Sequence, residues 1–186
     1  MPPHDHDQHG ESGHSHDQHG DDHHHHEVPS VSFGVVTVST SRTLETDESG
    51  DALVAAIEDE GHGVARRQLV GDDRDEIAAV VTALVETEDV DAVVLTGGTG
   101  LSPEDVTVEA VHPLLDQEIP GFGELFRSLS FDDIGPRALL SRAFAGSKDG
   151  IPVFCLPGST QAARFGADLL VLPTIGHILG HCQGRN

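Results

Sequence analysis

Residues Ala92-Val93-Val94-Leu95 are apolar without alternation and run straight into Thr96-Gly97-Gly98-Thr99-Gly100. A strand apolar at successive positions needs cover on both faces, as strands of parallel or mixed sheets have. The same pattern recurs at Phe33 with Val35–Val38 and at Ile151–Leu156. Val64–Val70 is a further strand candidate, interrupted by Arg66, Arg67 and Gln68 and so placed toward an edge. Between these runs the apolar period changes to that of a helix. Ile77, Val80, Val81, Leu84 and Val85 mark one face over Arg74–Glu86, and Leu53, Ala56 and Ile57 mark Asp51–Glu60. Thr107–Leu115, Gly123–Leu129, Ser159–Leu170 and Thr174–Cys182 are the remaining helix candidates. Strands alternating with helices predict an α/β fold whose sheet is covered on both sides.

In such folds ligands collect where the strands end at their C-termini. The predicted strand ends carry Ser39–Arg42, Gly71–Asp73, Thr96–Gly100 and Pro157–Ser159, all small, polar or glycine-containing. The Thr96–Gly100 turn followed by a helix-compatible segment from Ser102-Pro103 presents backbone N–H groups and a helix N-terminus to an anion. No Gly-Lys-Ser/Thr follows, so it is not the common phosphate loop, and it lacks the third spaced glycine of a dinucleotide site. Asp105 stands next to the turn. A carboxylate there weakens anion binding unless a cation intervenes, which makes Mg²⁺ the natural companion of a phosphorylated substrate. Its alternative is a helix-start role: Ser102 as cap, Pro103 in the first turn, Glu104 and Asp105 favoured by the dipole. Asp72 and Asp73 precede the helix at Arg74. Asp73 with Glu76 is a capping pattern, which leaves Asp72 for a metal ion.

The charge limits the partners. The chain of 186 residues has a formal charge of −22, with nine arginines and a single lysine, Lys148. Acid spread along the whole length repels nucleic acid, and no basic stripe interleaved with aromatics occurs. Uniform acidity of this kind is the composition of proteins from organisms of very high salt, halophilic archaea among them, where screening shortens self-repulsion. No run of about 18 apolar residues occurs, so no transmembrane helix is expected. With no apolar signal core at the N-terminus, a cytoplasmic location is expected.

Residues 1–30 form a separate compositional region ahead of a domain at 31–186. His-Asp-His-Asp-Gln-His-Gly at 4–10 recurs as His-Ser-His-Asp-Gln-His-Gly at 14–20, and His23–His26 follow; ten of the 14 histidines are here. Disorder is expected of a segment so poor in apolar residues. Its His and Asp side chains suit Ni²⁺, Cu²⁺ or Zn²⁺. Within the domain no nucleophilic triad is evident. Cys155 falls inside an apolar strand, Cys182 lies 27 residues on without zinc-ribbon spacing, and His177 and His181 read as helix-surface histidines.

Leu95-Thr-Gly-Gly-Thr-Gly100, Pro103-Glu-Asp-Val-Thr107, Ile119-Pro-Gly-Phe-Gly-Glu124, Leu140-Ser-Arg142 and Leu156-Pro-Gly-Ser159 together resemble the molybdopterin adenylyltransferase family of the MogA/MoaB type. The resemblance covers residues 31–182. It implies a three-layer α/β/α fold with a mostly parallel sheet, assembled as a homotrimer or homohexamer, with other proteins of the molybdenum cofactor pathway as further partners. It implies that the terminal phosphate of molybdopterin attacks the α-phosphorus of ATP in a Mg²⁺-dependent reaction, releasing pyrophosphate and leaving a pterin primed for molybdate or tungstate. The family's two essential aspartates fall on Asp72 and Asp105, as catalytic and metal-holding residues. Its phosphate and pterin contacts fall on Ser39, Ser41, Thr99, Ser130 and Ser141. Gly97, Gly98 and Gly100 would let backbone approach the ligand, with Pro157 and Gly158 on the opposite side. Thr40-Ser41-Arg42 replaces the frequent Ser-Asp-Arg, and Val70-Gly71-Asp72 the frequent Val-Pro-Asp, which is closer to the MoaB branch. That branch holds active enzymes and also members with no demonstrated need in the pathway. A non-catalytic pterin-binding scaffold, with the histidine tail as a metal-binding arm, is therefore the competing reading.

Overall fold

The computed structural model describes residues 30–184. The histidine-rich region up to residue 29 lies outside them, and with it the expectation of disorder. Six strands form one sheet: β1 (Ser32–Val38), β2 (Gly63–Val70), β3 (Ala92–Thr96), β4 (Gln117–Glu118), β5 (Phe144–Lys148) and β6 (Ile151–Leu156). Their spatial order is β2-β1-β3-β6-β5-β4. The first four in that order are parallel; β5 runs antiparallel to β6, and β4 runs antiparallel to β5, so β5 alone is reversed.

Alternate residues of the central strands enter different cores. Phe33, Val35, Val94 and Phe154 face a core built with helix α1 (Glu48–Asp59), through Leu53, Ala56 and Ile57. Val36, Val93, Leu95 and Cys155 face a second core with helix α2 (Arg74–Val85), through Ile77, Val81 and Leu84. Both faces of the sheet are covered, which is why these strands read as unbroken apolar runs. Strand β2 sits at the edge, and its polar interruptions are tolerated there because only β1 pairs with it.

The chain passes from β1 through α1 to β2 on one side, then returns across β1 through α2 to β3 on the other. The loops that leave β1 and β3 therefore diverge, and a crevice opens between them at the C-terminal ends of the strands. Helix α4 (Pro120–Ile134) and helix α5 (Thr160–Gly166) pack on the first core, partly through Phe122, Phe126 and Ala163. Helix α6 (Ile175–Cys182) completes it with Ile175.

The structure departs from the sequence expectations in three places. The segment from Ser102 is not a helix start: residues 101–104 form turns, and helix α3 (Thr107–Val111) begins five residues later. The cause is Asp105, whose carboxylate folds back onto the Ser102 N–H at 2.8 Å and closes a turn instead of opening a helix. Helix α4 is longer than Gly123–Leu129, because Pro120 occupies its first turn, where the missing N–H costs no intrahelical bond. Strands β4 and β5 were not foreseen. Strand β5 reaches β6 through Asp149-Gly150, with φ of +50° and +81°, the two left-handed residues of a tight hairpin.

Candidate functional site

The four strand ends meet in a cavity of about 490 Å³. Ser39 and Ser41 come from the loop after β1, Asp72 from the loop after β2, and Gly97, Gly98, Thr99 and Gly100 from the loop after β3. Pro157 and Gly158 come from the loop after β6. Asp105, Ser130 of α4 and Ser141 line the same cavity. Every site residue expected from the sequence is thus brought to one place.

The two carboxylates are held, each through one oxygen. Asp72 Oδ2 accepts hydrogen bonds from the Thr40 N–H at 2.8 Å and from the Thr40 hydroxyl at 2.6 Å. Asp73, its neighbour, takes the cap of α2, its Oδ1 accepting from the N–H groups of Asp75 and Glu76. Asp73 is thus the cap, as expected, and Asp72 is left to the cavity. Asp105 Oδ2 is occupied by the Ser102 N–H. Arg142 clamps that turn from outside: its Nε donates to the Gly100 carbonyl at 2.7 Å, and its Nη2 to the Asp105 carbonyl at 2.8 Å. It also pairs with Glu109, whose carboxyl the guanidinium holds below the usual range.

The glycines of the turn serve the protein's own chain. At Gly97, φ is +108° and a Cβ would lie 2.2 Å from the Val38 carbonyl oxygen, so any side chain would collide with β1. At Gly100 a Cβ would lie 2.6 Å from Asp105 Oδ2. Glycine here gives Asp105 its position, and close approach of backbone to a ligand is not its only use. The loops are tied to one another as well: Thr96 Oγ1 donates to the Pro157 carbonyl and Thr107 Oγ1 to the Gly97 carbonyl, both at 2.8 Å.

Thr99 is 2% exposed, yet its hydroxyl has no hydrogen-bond partner among the described residues. A buried hydroxyl left in this state costs free energy, and at a cavity wall a ligand oxygen is what would satisfy it. The residue types of the wall are those that bind phosphate and a polar heterocycle: hydroxyls, backbone N–H groups and two acids. Among the described residues no three His, Cys, Asp or Glu side chains gather into a protein-only metal cage.

Sequence reasoning missed two kinds of lining residue. Phe126, Ile134, Ala138 and Ala162 give the cavity an apolar wall, which the packing of α4, the turns after it at Gly135–Leu140, and α5 creates. Arg42 and Ser159 were legible as parts of motifs but were not singled out. Cys155 is fully buried in β6, and burial pushes its thiol far up, so it is no nucleophile.

Residues 34–177 match the model of a family described as "Probable molybdopterin binding domain". The chain belongs to this family. A protein from Bacillus cereus named molybdenum cofactor biosynthesis protein B is 48% identical over 145 residues, which are 77% of this chain and 86% of the relative. A crystal structure of a molybdenum cofactor biosynthesis protein B superposes with a TM-score of 0.81 at 46% identity, covering 83% of this chain and 97% of the other. That of the tungsten cofactor synthesizing protein MoaB from Pyrococcus furiosus gives a TM-score of 0.75 at 32% identity, covering 85% and 99%. The α/β fold with its mostly parallel sheet is therefore the fold of the MoaB and MogA molybdopterin-binding domains.

Proposed function

We propose that this chain acts in molybdenum or tungsten cofactor biosynthesis as a Mg²⁺-dependent molybdopterin adenylyltransferase, transferring AMP from ATP to the terminal phosphate of molybdopterin. The observation that carries the reading is the meeting of Asp72, Asp105 and the unpartnered Thr99 hydroxyl in one cavity.

Joining two phosphates brings anions together, so the work is alignment and charge neutralisation and needs no protein nucleophile. Asp72 and Asp105, each engaged through Oδ2, would hold Mg²⁺ through their other oxygens, with phosphate oxygens completing the shell. The ion supplies charge neutralisation between carboxylate and phosphate. Thr99, Ser39 and Ser41 hold phosphate oxygens through hydroxyl and backbone donors. Ser130, Ser141 and the apolar wall from Phe126 hold the pterin, and Pro157 and Gly158 close the opposite side.

Purified full chain with molybdopterin, ATP and MgCl₂ in high KCl tests this. Release of pyrophosphate together with adenylylated pterin is expected; pterin binding without either product leaves a non-catalytic binding protein.

The same reading includes self-association. Leu125, Leu129 and Phe131 of α4 and Leu139 beyond it are exposed, the last at 79%, and a second copy of the chain is their proposed cover, in a homotrimer or homohexamer. Light scattering in high salt measures it. A cytoplasmic, halophilic setting and a metal-binding tail belong to this reading too. Titration calorimetry of the full chain with Ni²⁺, Zn²⁺ and Cu²⁺ tests the tail. Among the described residues no single helix is long and apolar enough to cross a membrane.

A further inference from the structure

The cavity has an electrostatic difficulty. Two carboxylates line it, the chain as a whole carries −22, and phosphates are its proposed occupants. Among the described lining residues a single one is cationic, Arg42. We propose that Arg42 is the phosphate-binding cation of this site, and that the buried Asp47, through the bonds it makes, positions it. The proposal rests on the cavity being a phosphate site, as read above.

Arg42 stands on the loop after β1 with its side chain about one-third exposed (31%). Its Nη2 donates to the Gly158 carbonyl at 3.1 Å, and its Nη1 donates to the Ser49 hydroxyl and lies 3.7 Å from Asp47 Oδ1. A guanidinium has five N–H donors in a fixed plane. Two are spent on the protein and fix that plane; the others remain for an anion. A lysine ammonium could not keep both internal bonds and still offer a fork to a phosphate.

Asp47 is the fixed point behind it. Its side chain is 0% exposed and accepts from the Thr37 hydroxyl at 2.7 Å, the Gly50 N–H at 3.0 Å and the Ser49 hydroxyl at 3.2 Å. Its charge is matched by Arg67, whose Nη2 lies 3.0 Å from Oδ2 and whose Nη1 pairs with Asp51. Arg67 pairs with Asp47 as well as with Asp51, so Asp47 does not depend on Arg42 alone for its counter-charge, and Ser49 connects Asp47 to Arg42. Gly50 belongs to the device: a Cβ there would lie 2.0 Å from Asp47 Oδ2.

The alternative is that Arg42 only staples the loop after β1 to the loop after β6. Binding of inorganic pyrophosphate to the full chain with MgCl₂, measured by calorimetry at the lowest KCl that keeps it folded, separates the two. Arg42→Gln is expected to weaken pyrophosphate binding about 10- to 100-fold, and Arg42→Lys by less. A lowered melting temperature with unchanged pyrophosphate affinity shows a staple and overturns the proposal, as does wild type that binds no pyrophosphate. For Asp47, the readout is a double-mutant cycle. Asp47→Asn weakens pyrophosphate binding, and combined with Arg42→Gln it adds no further loss; additive losses overturn the positioning role. Should Asp47→Asn not fold, Ser49→Ala carries the same cycle with the same two outcomes. Pyrophosphate binding sensitive to Arg42 in a chain that transfers no AMP upholds this inference and removes the transferase reading. Transfer whose KM and pyrophosphate affinity ignore Arg42→Gln removes this inference and leaves the transferase.

Discussion

Asp47 and the pair Asp72 and Asp105 border the same loops but are treated in opposite ways. Asp47 is enclosed and its oxygens are filled by two hydroxyls, a backbone N–H and Arg67. Asp72 and Asp105 line the cavity, and each is bound through one oxygen by one neighbouring residue or turn. A carboxylate with every oxygen occupied contributes to stability and cannot accept a new ligand. One held only at Oδ2 is fixed in position and still able to bind. Saturation, more than the residue type, separates the enclosed acid from the two at the cavity in a chain with 32 Asp and Glu.

Substitution at the rim should break this contrast most visibly. Asp72→Asn and Asp105→Asn are each expected to reduce AMP transfer by about 10²–10³-fold or more. Pyrophosphate release and a thermal melt on the same samples check it, with the melting temperature near that of wild type. Asp47→Asn should differ from them in its cost to stability, about 2–4 kcal/mol in a urea titration, because Arg67 loses its buried counter-charge, besides weakening pyrophosphate binding through Arg42.

Acid sharpens the same comparison. Burial pushes the Asp47 carboxyl up, but the bonds from Thr37, Gly50 and Arg67 together outweigh it and hold the group below its ordinary value. A depressed carboxyl contributes stability that is present above its unfolded pKa, about 3.9, and is lost as pH falls from there through the folded pKa. Unfolding free energy measured from pH 5 downward should therefore fall in wild type, and fall less steeply in Asp47→Asn. The smallest effect belongs to an exposed ion pair. Arg66 and Asp89 meet at 3.1 Å with both side chains about half exposed, at 49% and 60%. Arg66→Ala should change stability by no more than about 0.5 kcal/mol in the same titration.

The rim was legible because its determinants are local. A run such as Val93-Val94-Leu95 reports burial on both faces, and the small residues after it report a strand end, without knowledge of any neighbour. The contacts around Asp47 are local only in part, at Ser49 and Gly50. Its partners Thr37 and Arg67 are ten residues before and 20 after it, and nothing in Glu45-Thr46-Asp47-Glu48 distinguishes it from the surface acids nearby. Strand β5 escaped notice because Phe144-Ala145-Gly146-Ser147-Lys148 has little apolar bulk; its signal was the Asp149-Gly150 turn, which demands paired strands on both sides. The turn at Asp105 was misread as a helix start since Ser-Pro-Glu-Asp satisfies both. The bond from Ser102 N–H decides between them, and Arg142 grips the same turn from 37 residues away.

The bond from Arg42 to the Gly158 carbonyl joins residues 116 positions apart. The order of synthesis then matters. While the chain emerges from a ribosome, β1, β2 and β3 can associate early, but β6 and the loop beyond it emerge well after them. The wall formed by Pro157, Gly158 and Ser159 is missing until then. A polypeptide cut short before Pro157 retains both acids and the glycine turn but lacks that wall, so the cavity is completed only by a late-made part of the chain.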